Sequence, residues 1–259
     1  MVVKLKTPDE IVIMREAGRI VARALQAMRE AVRPGITTAE LDRIAETVIR
    51  DHGATPAFLG YPKPDAPAFP ATITASVNNE LVHGIPGSRV LQEGDIISLD
   101  TGCHYKGYVG DAAFTMAVGE ASPAVQRLLD VTEQALQVGI QASVLPNAIS
   151  DVAKAIQKFV EGKGYSLARE YGGHGVGREM HEEPFVPNWW STKHKRYYRD
   201  YPLQIGMTYA IEPMVIAGRP ELIELDDHWT VVTKDGSLCA HFEHTIAITN
   251  GEPIILTLL

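Results

Sequence analysis

The chain has 259 residues, a formal net charge of −8, 45% hydrophobic and 22% charged residues, the make-up of a folded globular protein rather than a disordered or low-complexity one. The acidic balance argues against a nucleic-acid substrate, and the longest early apolar run, "IVIM" at 11–14, is too short for a signal-peptide core or a membrane span. Cys103 and Cys239 have no CxxC partner and read as packed thiols of a reduced, cytoplasmic protein that does not touch membrane.

Helix starts are well marked. "TPDE" (7–10) offers Thr7 as cap, Pro8 at the first helical position and Glu10 to reach back to the cap. "TTAE" (37–40) and Ser122-Pro123 repeat that punctuation. Strands are expected over "DIISLD" (95–100), "VGDAAFTMAV" (109–118), "MTYAIEPMVI" (207–216), "WTVVT" (229–233) and "LCAHFEHTIAIT" (238–249), with "KDGS" (234–237) as a hairpin turn. Helices thus precede hairpins, twice. One constant offset pairs Pro34 with Pro146, Ile44 with Ile156, Val48 with Val160, Gly94 with Gly206 and Asp100 with Glu212. Asp111 and Glu243 each lie eight residues before a Gly-Glu pair. These matches predict one catalytic domain over 1–259 built from two related α/β halves, about 1–120 and 121–259. Chance agreement between amphipathic segments is the alternative.

Period-two alternation puts Asp100 on the face opposite Ile97 and Leu99, Glu212 opposite Tyr209 and Ile211, and Glu243 opposite Phe242, His244 and Ile246. If "HYKG" (104–107) is the turn, Asp100 lies directly across from Asp111 at about 5 Å between Cβ atoms, where like charges destabilise a sheet. Face-to-face packing of the halves would then gather Asp100, Asp111, Glu212 and Glu243 at one centre. Raised carboxyl pKa values are one escape from that repulsion, but they serve a pair of acids better than four. Two divalent cations neutralise four carboxylates, so a dinuclear site is the economical reading. Oxygen ligands with imidazole suit Mn, Fe, Co or Zn.

"GGHGVGREMHEEP" (172–184) places His174 and His181 in a glycine-rich stretch that no Lys-Ser/Thr helix start follows, so a phosphate loop is not expected. Together with "YAIEPMV" (209–215), "FEHTIAIT" (242–249), "LVHGIPG" (81–87) and the Asp100/Asp111 pair, it resembles the type I methionine aminopeptidases over nearly the whole chain. The resemblance implies the α/β (α+β) pita-bread fold, two pseudo-symmetric halves with antiparallel sheet around a central dinuclear metal site. It implies two divalent ions (Co, Mn, Fe or Zn) held by Asp100, Asp111, His174, Glu212 and Glu243, with Asp111 and Glu243 bridging. His83, His181 and Glu212 would be the catalytic groups, the two histidines near the scissile amide and Glu212 relaying a proton. The substrate would be the N-terminal methionine of nascent chains with a small second residue.

A methionine pocket of Tyr61, Phe69, Thr74, Met180 and Trp229 is implied, with Thr74 where cysteine and Met180 where phenylalanine are usual. The histidines at 52, 104, 194, 228, 241 and 244 read as structural or solvated, with His241 set apart from the others by its neighbour Glu243. "PNWWSTKHKRYYRDYP" (187–202) reads as a basic, aromatic loop solvated at the site rim, with ribosome or nascent-chain contact as the alternative. A monomer is expected. Rival readings are an X-Pro aminopeptidase or prolidase, which usually carries an arginine near the last glutamate, and a metal-free interaction module of the same fold, which would have lost ligands.

Overall fold

The computed structural model describes residues 2–191 and 198–259. Four helices are found among them: α1 (Pro8–Ala31), α2 (Thr38–Asp51), α3 (Pro123–Ala142) and α4 (Ile149–Gly162). Each start follows from a local device. Thr7 Oγ1 accepts from Glu10 N at 3.3 Å while Glu10 Oε2 accepts from Thr7 N at 2.9 Å, and Thr37 and Glu40 repeat the reciprocal pair ahead of α2. Ser122 Oγ caps α3 through Val125 N, and the Asp151 carboxylate accepts the Ala148 N–H ahead of α4. Such caps contribute about 1 kcal/mol each. No helix among the described residues is long and apolar enough to cross a membrane.

The strands are β1 (Thr55–Pro56), β2 (Ile73–Val77), β3 (Glu80–Val82), β4 (Ile96–Tyr105), β5 (Tyr108–Ala117), β6 (Ser166–Leu167), β7 (Gly172–Gly175), β8 (Glu182–Pro187), β9 (Thr208–Ile211), β10 (Met214–Ile216), β11 (Leu222–Glu224), β12 (Val231–Thr233), β13 (Cys239–His241), β14 (Glu243–Ala247) and β15 (Ile254–Ile255). The central sheet runs β1-β4-β5-β14-β9-β7-β8, with β2 on β4 and β15 on β14, and its pairings are antiparallel. Helices α1 and α3 lie against its central strands, with α2 packed on α1 and α4 on α3. This is the mixed helix and antiparallel-sheet pita-bread architecture that the sequence led us to expect.

Four expectations are corrected. The β4–β5 turn is Lys106–Gly107, not residues 104–107: Tyr105 pairs with Tyr108, and both turn residues have positive φ, 49° and 79°, the twist that a two-residue hairpin favours. Asp100 therefore opposes Ala113 and Asp111 opposes Gly102, so the two carboxylates are diagonal neighbours on one face instead of directly opposed. The halves do not pack face to face. They join edge to edge, because β14 pairs with β5 through Glu243↔Ala113 and His244↔Ala112. The segments 207–216 and 238–249 are each broken, at Glu212-Pro213 and at Phe242, and their outer parts β10 and β13 pair in a separate small sheet. Pro213 cannot donate to a ladder, which explains the first break. Residues 234–237 do turn, but β12 pairs with β11 and β3 while β13 pairs with β10, so "KDGS" links two sheets and is no hairpin.

The helix-facing side of the sheet is apolar and tight. Leu99 opposes Phe114, and Tyr209, Ile211 and Ile246 are fully buried. A Cβ on Gly110 would stand 2.6 Å from Gly18 N and 2.7 Å from the Ala17 carbonyl carbon of α1. Because the obstacle is backbone, Gly110→Ala is expected to destabilise by about 1–3 kcal/mol or more, read as a fall in denaturation midpoint. An unchanged midpoint would mean that α1 slides freely on β5.

Candidate metal centre

The other face of the sheet carries the charge. Register puts Asp100, Ala113 and Glu243 in one lateral row across β4, β5 and β14, and Asp111 lies two residues from Ala113 on the same side. Ile211 pairs with His244, so Glu212, the next residue along, continues toward Glu243. His174 sits on β7, beside β9 through the Gly175↔Tyr209 pair. Neighbouring strands of one sheet thus bring Asp100, Asp111, His174, Glu212 and Glu243 together. All five are buried, at 9% relative exposure or less.

His174 Nε2 lies 3.6 Å from Asp111 Oδ2 and 3.7 Å from Glu212 Oε1, while its Nδ1 is 3.1 Å from the Gly175 carbonyl oxygen. That bond puts the Nδ1 proton on the backbone and leaves Nε2 facing the carboxylates. Asp100 Oδ1, Asp111 Oδ1 and Glu243 Oε1 are buried without any hydrogen-bond partner. Orphaned anionic oxygens are costly, and here they converge. Burial, then the charges of Asp111 and Glu212, hold the Asp100 carboxyl well above the usual carboxylate range. Burial and three neighbouring carboxylates do the same to Glu243. Burial pushes Glu212 up to about 7 against the pull of His174. For His174 burial acts downward, but contact with Asp111 and Glu212 outweighs it and the imidazole is raised. Oxygen donors with imidazole, orphaned on the side where they meet, fit a divalent-cation centre.

The centre opens into a cavity of about 590 Å³, within the usual range for a small-ligand site. Every residue singled out from the sequence lines it, including His83, His181, Tyr61, Phe69, Thr74, Met180 and Trp229. Thr74 pairs with Asp100 across β2–β4, which places it at the metal side. Phe69 meets Trp229 edge-on with ring centroids 5.1 Å apart, and the indole N–H donates to the Pro67 carbonyl at 2.9 Å. Gly102 packs directly against two lining side chains, since a Cβ there would come 3.1 Å from Met180 Cε and 3.2 Å from Phe58 Cε1. His181 Nδ1 is 2.6 Å from the Tyr61 hydroxyl, and its ring centroid is 4.1 Å from that of His174. Burial, then the neighbouring histidines, pulls His181 down to about 3. His83, at a positive φ of 61°, is pulled down to about 4 by burial and then by Lys63.

Sequence reasoning missed three things. His241 is neither solvated nor remote: it is 2% exposed, with Nε2 3.6 Å from Glu212 Oε2 and 3.7 Å from Glu243 Oε2. Its position two residues before Glu243 was the available signal. Asn188 is 1% exposed and donates from Nδ2 to the Glu212 carbonyl at 2.9 Å, so the start of the 187–202 stretch is buried behind the centre instead of solvated at its rim. Residues 192–197 of that stretch, His194 among them, lie outside the described residues. Lys63 and Glu224 form an ion pair of 2.6 Å at the cavity wall, a contact between residue 63 and the end of β11 that no local pattern announces.

The model of metallopeptidase family M24 matches residues 12–250, and the chain belongs to that family. It is 50% identical over 252 residues to methionine aminopeptidase 1 of Bacillus subtilis, covering 97% of this chain and 98% of that protein. It is 47% identical over 255 residues to the methionine aminopeptidase of Clostridium perfringens, covering 98% of each. The crystal structure of methionine aminopeptidase from Thermotoga maritima superposes with a TM-score of 0.93 at 40% identity over 100% of both chains. The prolidase of Pyrococcus furiosus, at 22% identity and a TM-score of 0.75 with 65% of its length covered, shares the fold.

Proposed function

We propose that this chain is a metal-dependent aminopeptidase that removes the N-terminal methionine of nascent chains with a small second residue. The observation that carries the reading is the set of buried carboxylates with orphaned oxygens at the end of a cavity walled by Phe69, Met180 and Trp229, in a chain similar over almost its full length to methionine aminopeptidases. Asp100, Asp111, His174, Glu212 and Glu243 would hold two divalent cations of the Mn, Fe, Co or Zn type, with Asp111 and Glu243 bridging. When bound, such cations polarise the scissile carbonyl and lower the pKa of an attacking water.

The chain's own groups do the rest. Phe69, Met180 and Trp229 take the thioether side chain out of water. With the Tyr61 hydroxyl, 2.6 Å from His181 Nδ1, as the donor, the proton of the neutral imidazole would sit on Nε2. His181 can therefore donate to the carbonyl oxygen without bringing a charge into the site, and His83, likewise neutral and lining the same cavity, would support the amide. Glu212, which lines the cavity beside the cation positions it would help to form, is the carboxylate placed to accept a proton and pass it to the leaving amine. One domain of two repeat-related halves, acting as a cytoplasmic monomer, fits a nascent-chain substrate.

Peptide hydrolysis tests the assignment: Met-Ala-Ser is cleaved, Met-Arg peptides are refused, and Ala-Pro peptides are not turned over. Equal rates on Met-Arg, or faster cleavage of X-Pro, overturns it. His181→Ala is expected to keep its metals and lose roughly 10²–10³-fold in kcat, the usual cost of one oxyanion donor. Loss of bound metal in that variant would instead make His181 a ligand.

A further inference from the structure

His241 has no place in the mechanism above, yet its imidazole is aimed at the centre and held there. Its backbone is clamped on Thr115, whose Oγ1 accepts from His241 N at 2.8 Å and donates to His241 O at 2.7 Å. Thr115 Oγ1 is in turn 2.7 Å from Ser98 Oγ. Register adds a second hold, since His241 pairs with Met214 across β13–β10. The side chain is 2% exposed, and Nε2 is buried with no hydrogen-bond partner.

The distances discriminate between two uses of that nitrogen. An N–H donor to a carboxylate closes to about 2.7–2.9 Å. His241 Nε2 instead stands off from two different carboxylates almost equally, at 3.6 Å from Glu212 Oε2 and 3.7 Å from Glu243 Oε2. His174 Nε2 stands in the same relation to Asp111 Oδ2 and Glu212 Oε1, at 3.6 and 3.7 Å. Two ligands on one tetrahedral cation, each at about 2.1 Å, are separated by roughly 3.4 Å. Both imidazoles thus keep the spacing of ligands that share an ion. Glu212 lies between them, offering Oε1 to one and Oε2 to the other.

We propose that His241 is a sixth protein ligand of the centre, supplying nitrogen to a cation that Glu212 and Glu243 help to hold. The inference rests on the dinuclear centre proposed above. It adds a second imidazole to the oxygen donors of the centre, which favours Fe, Co or Zn over the hard ions Mg and Ca there.

The test is a count of imidazoles on the metal. In Co²⁺-loaded protein, proton NMR is expected to show two exchangeable ring N–H signals shifted far outside the diamagnetic range, of which His241→Gln removes one and His174→Gln the other. Metal analysis after dialysis should find the second Co²⁺ held at least roughly 10–100-fold more weakly in His241→Gln. A single shifted signal in the unaltered protein, surviving in His241→Gln, overturns the proposal and leaves His241 as an outer group that orients Glu212. No shifted signal at any Co²⁺ level would remove the metal centre itself, a different failure. The count in unaltered protein needs no variant to fold.

Discussion

Asp111→Asn and Glu243→Gln are each expected to take Met-Ala-Ser turnover to assay background and to leave the dialysed protein short of two cations. Each carboxylate offers oxygens in two directions: Asp111 Oδ2 toward His174 with Oδ1 orphaned, and Glu243 Oε2 toward His241 with Oε1 orphaned. An amide keeps the shape but replaces one anionic oxygen with a donor, which cannot ligate and turns its hydrogens on the imidazole. The loss should not come from unfolding. Without metal, burial and then the neighbouring carboxylates hold the Glu243 carboxyl far above the ordinary range, so its ionisation costs the apo fold stability that a neutral amide does not, and apo Glu243→Gln should melt no lower than apo wild type. Metal analysis by atomic emission, melting curves and turnover on one preparation check all three. Full activity with two cations in either variant would end the bridging assignment.

Metal removal is expected to lower the melting temperature by about 8–16 °C. A ligand at a thousand times its dissociation constant stabilises by about 4 kcal/mol, and a chain of this size shifts by roughly 2–4 °C per kcal/mol. The gap should widen as pH rises through neutrality. Asp100, Glu243, Glu212 and His174 all have folded values raised above their unfolded ones. Their contribution to apo stability is complete below the unfolded values and is lost as pH rises through the folded ones, about 7 for Glu212. His83, His181 and His241 are depressed to about 4, 3 and 3, so they act in the opposite sense, losing stability as pH falls below 6.5. Above that value they are neutral in both states and drop out. From about pH 6.5 up through the folded values, about 7 for Glu212, the apo protein should therefore lose stability as the loaded protein holds or gains, since cations bind the deprotonated acids. Melting curves with and without chelator across that window check it, and parallel slopes would argue against a buried carboxylate cluster.

The sequence by itself determined what depends on near neighbours. Thr7, Thr37 and Ser122 mark helix starts because a cap needs only residues three positions away, and alternation sorted Leu99, Tyr209 and Ile211 from Asp100 and Glu212 because a strand repeats every second residue. The acids and histidines of the centre were legible for a related reason: four buried carboxylates make chemical sense only with cations, whatever their exact placement. The tertiary structure alone decided register and partnership. Positive φ at Lys106 and Gly107 shifts the hairpin and turns a facing pair of aspartates into a diagonal one. The β5–β14 ladder joins the halves at an edge, and Pro213 with Phe242 sends each second-half strand into another sheet. That break carries His241 to the centre and Asn188 behind Glu212, contacts between segments far apart in the chain. Such contacts depend on which strand finds which, a choice made by the burial of the whole sheet and not written in any local period.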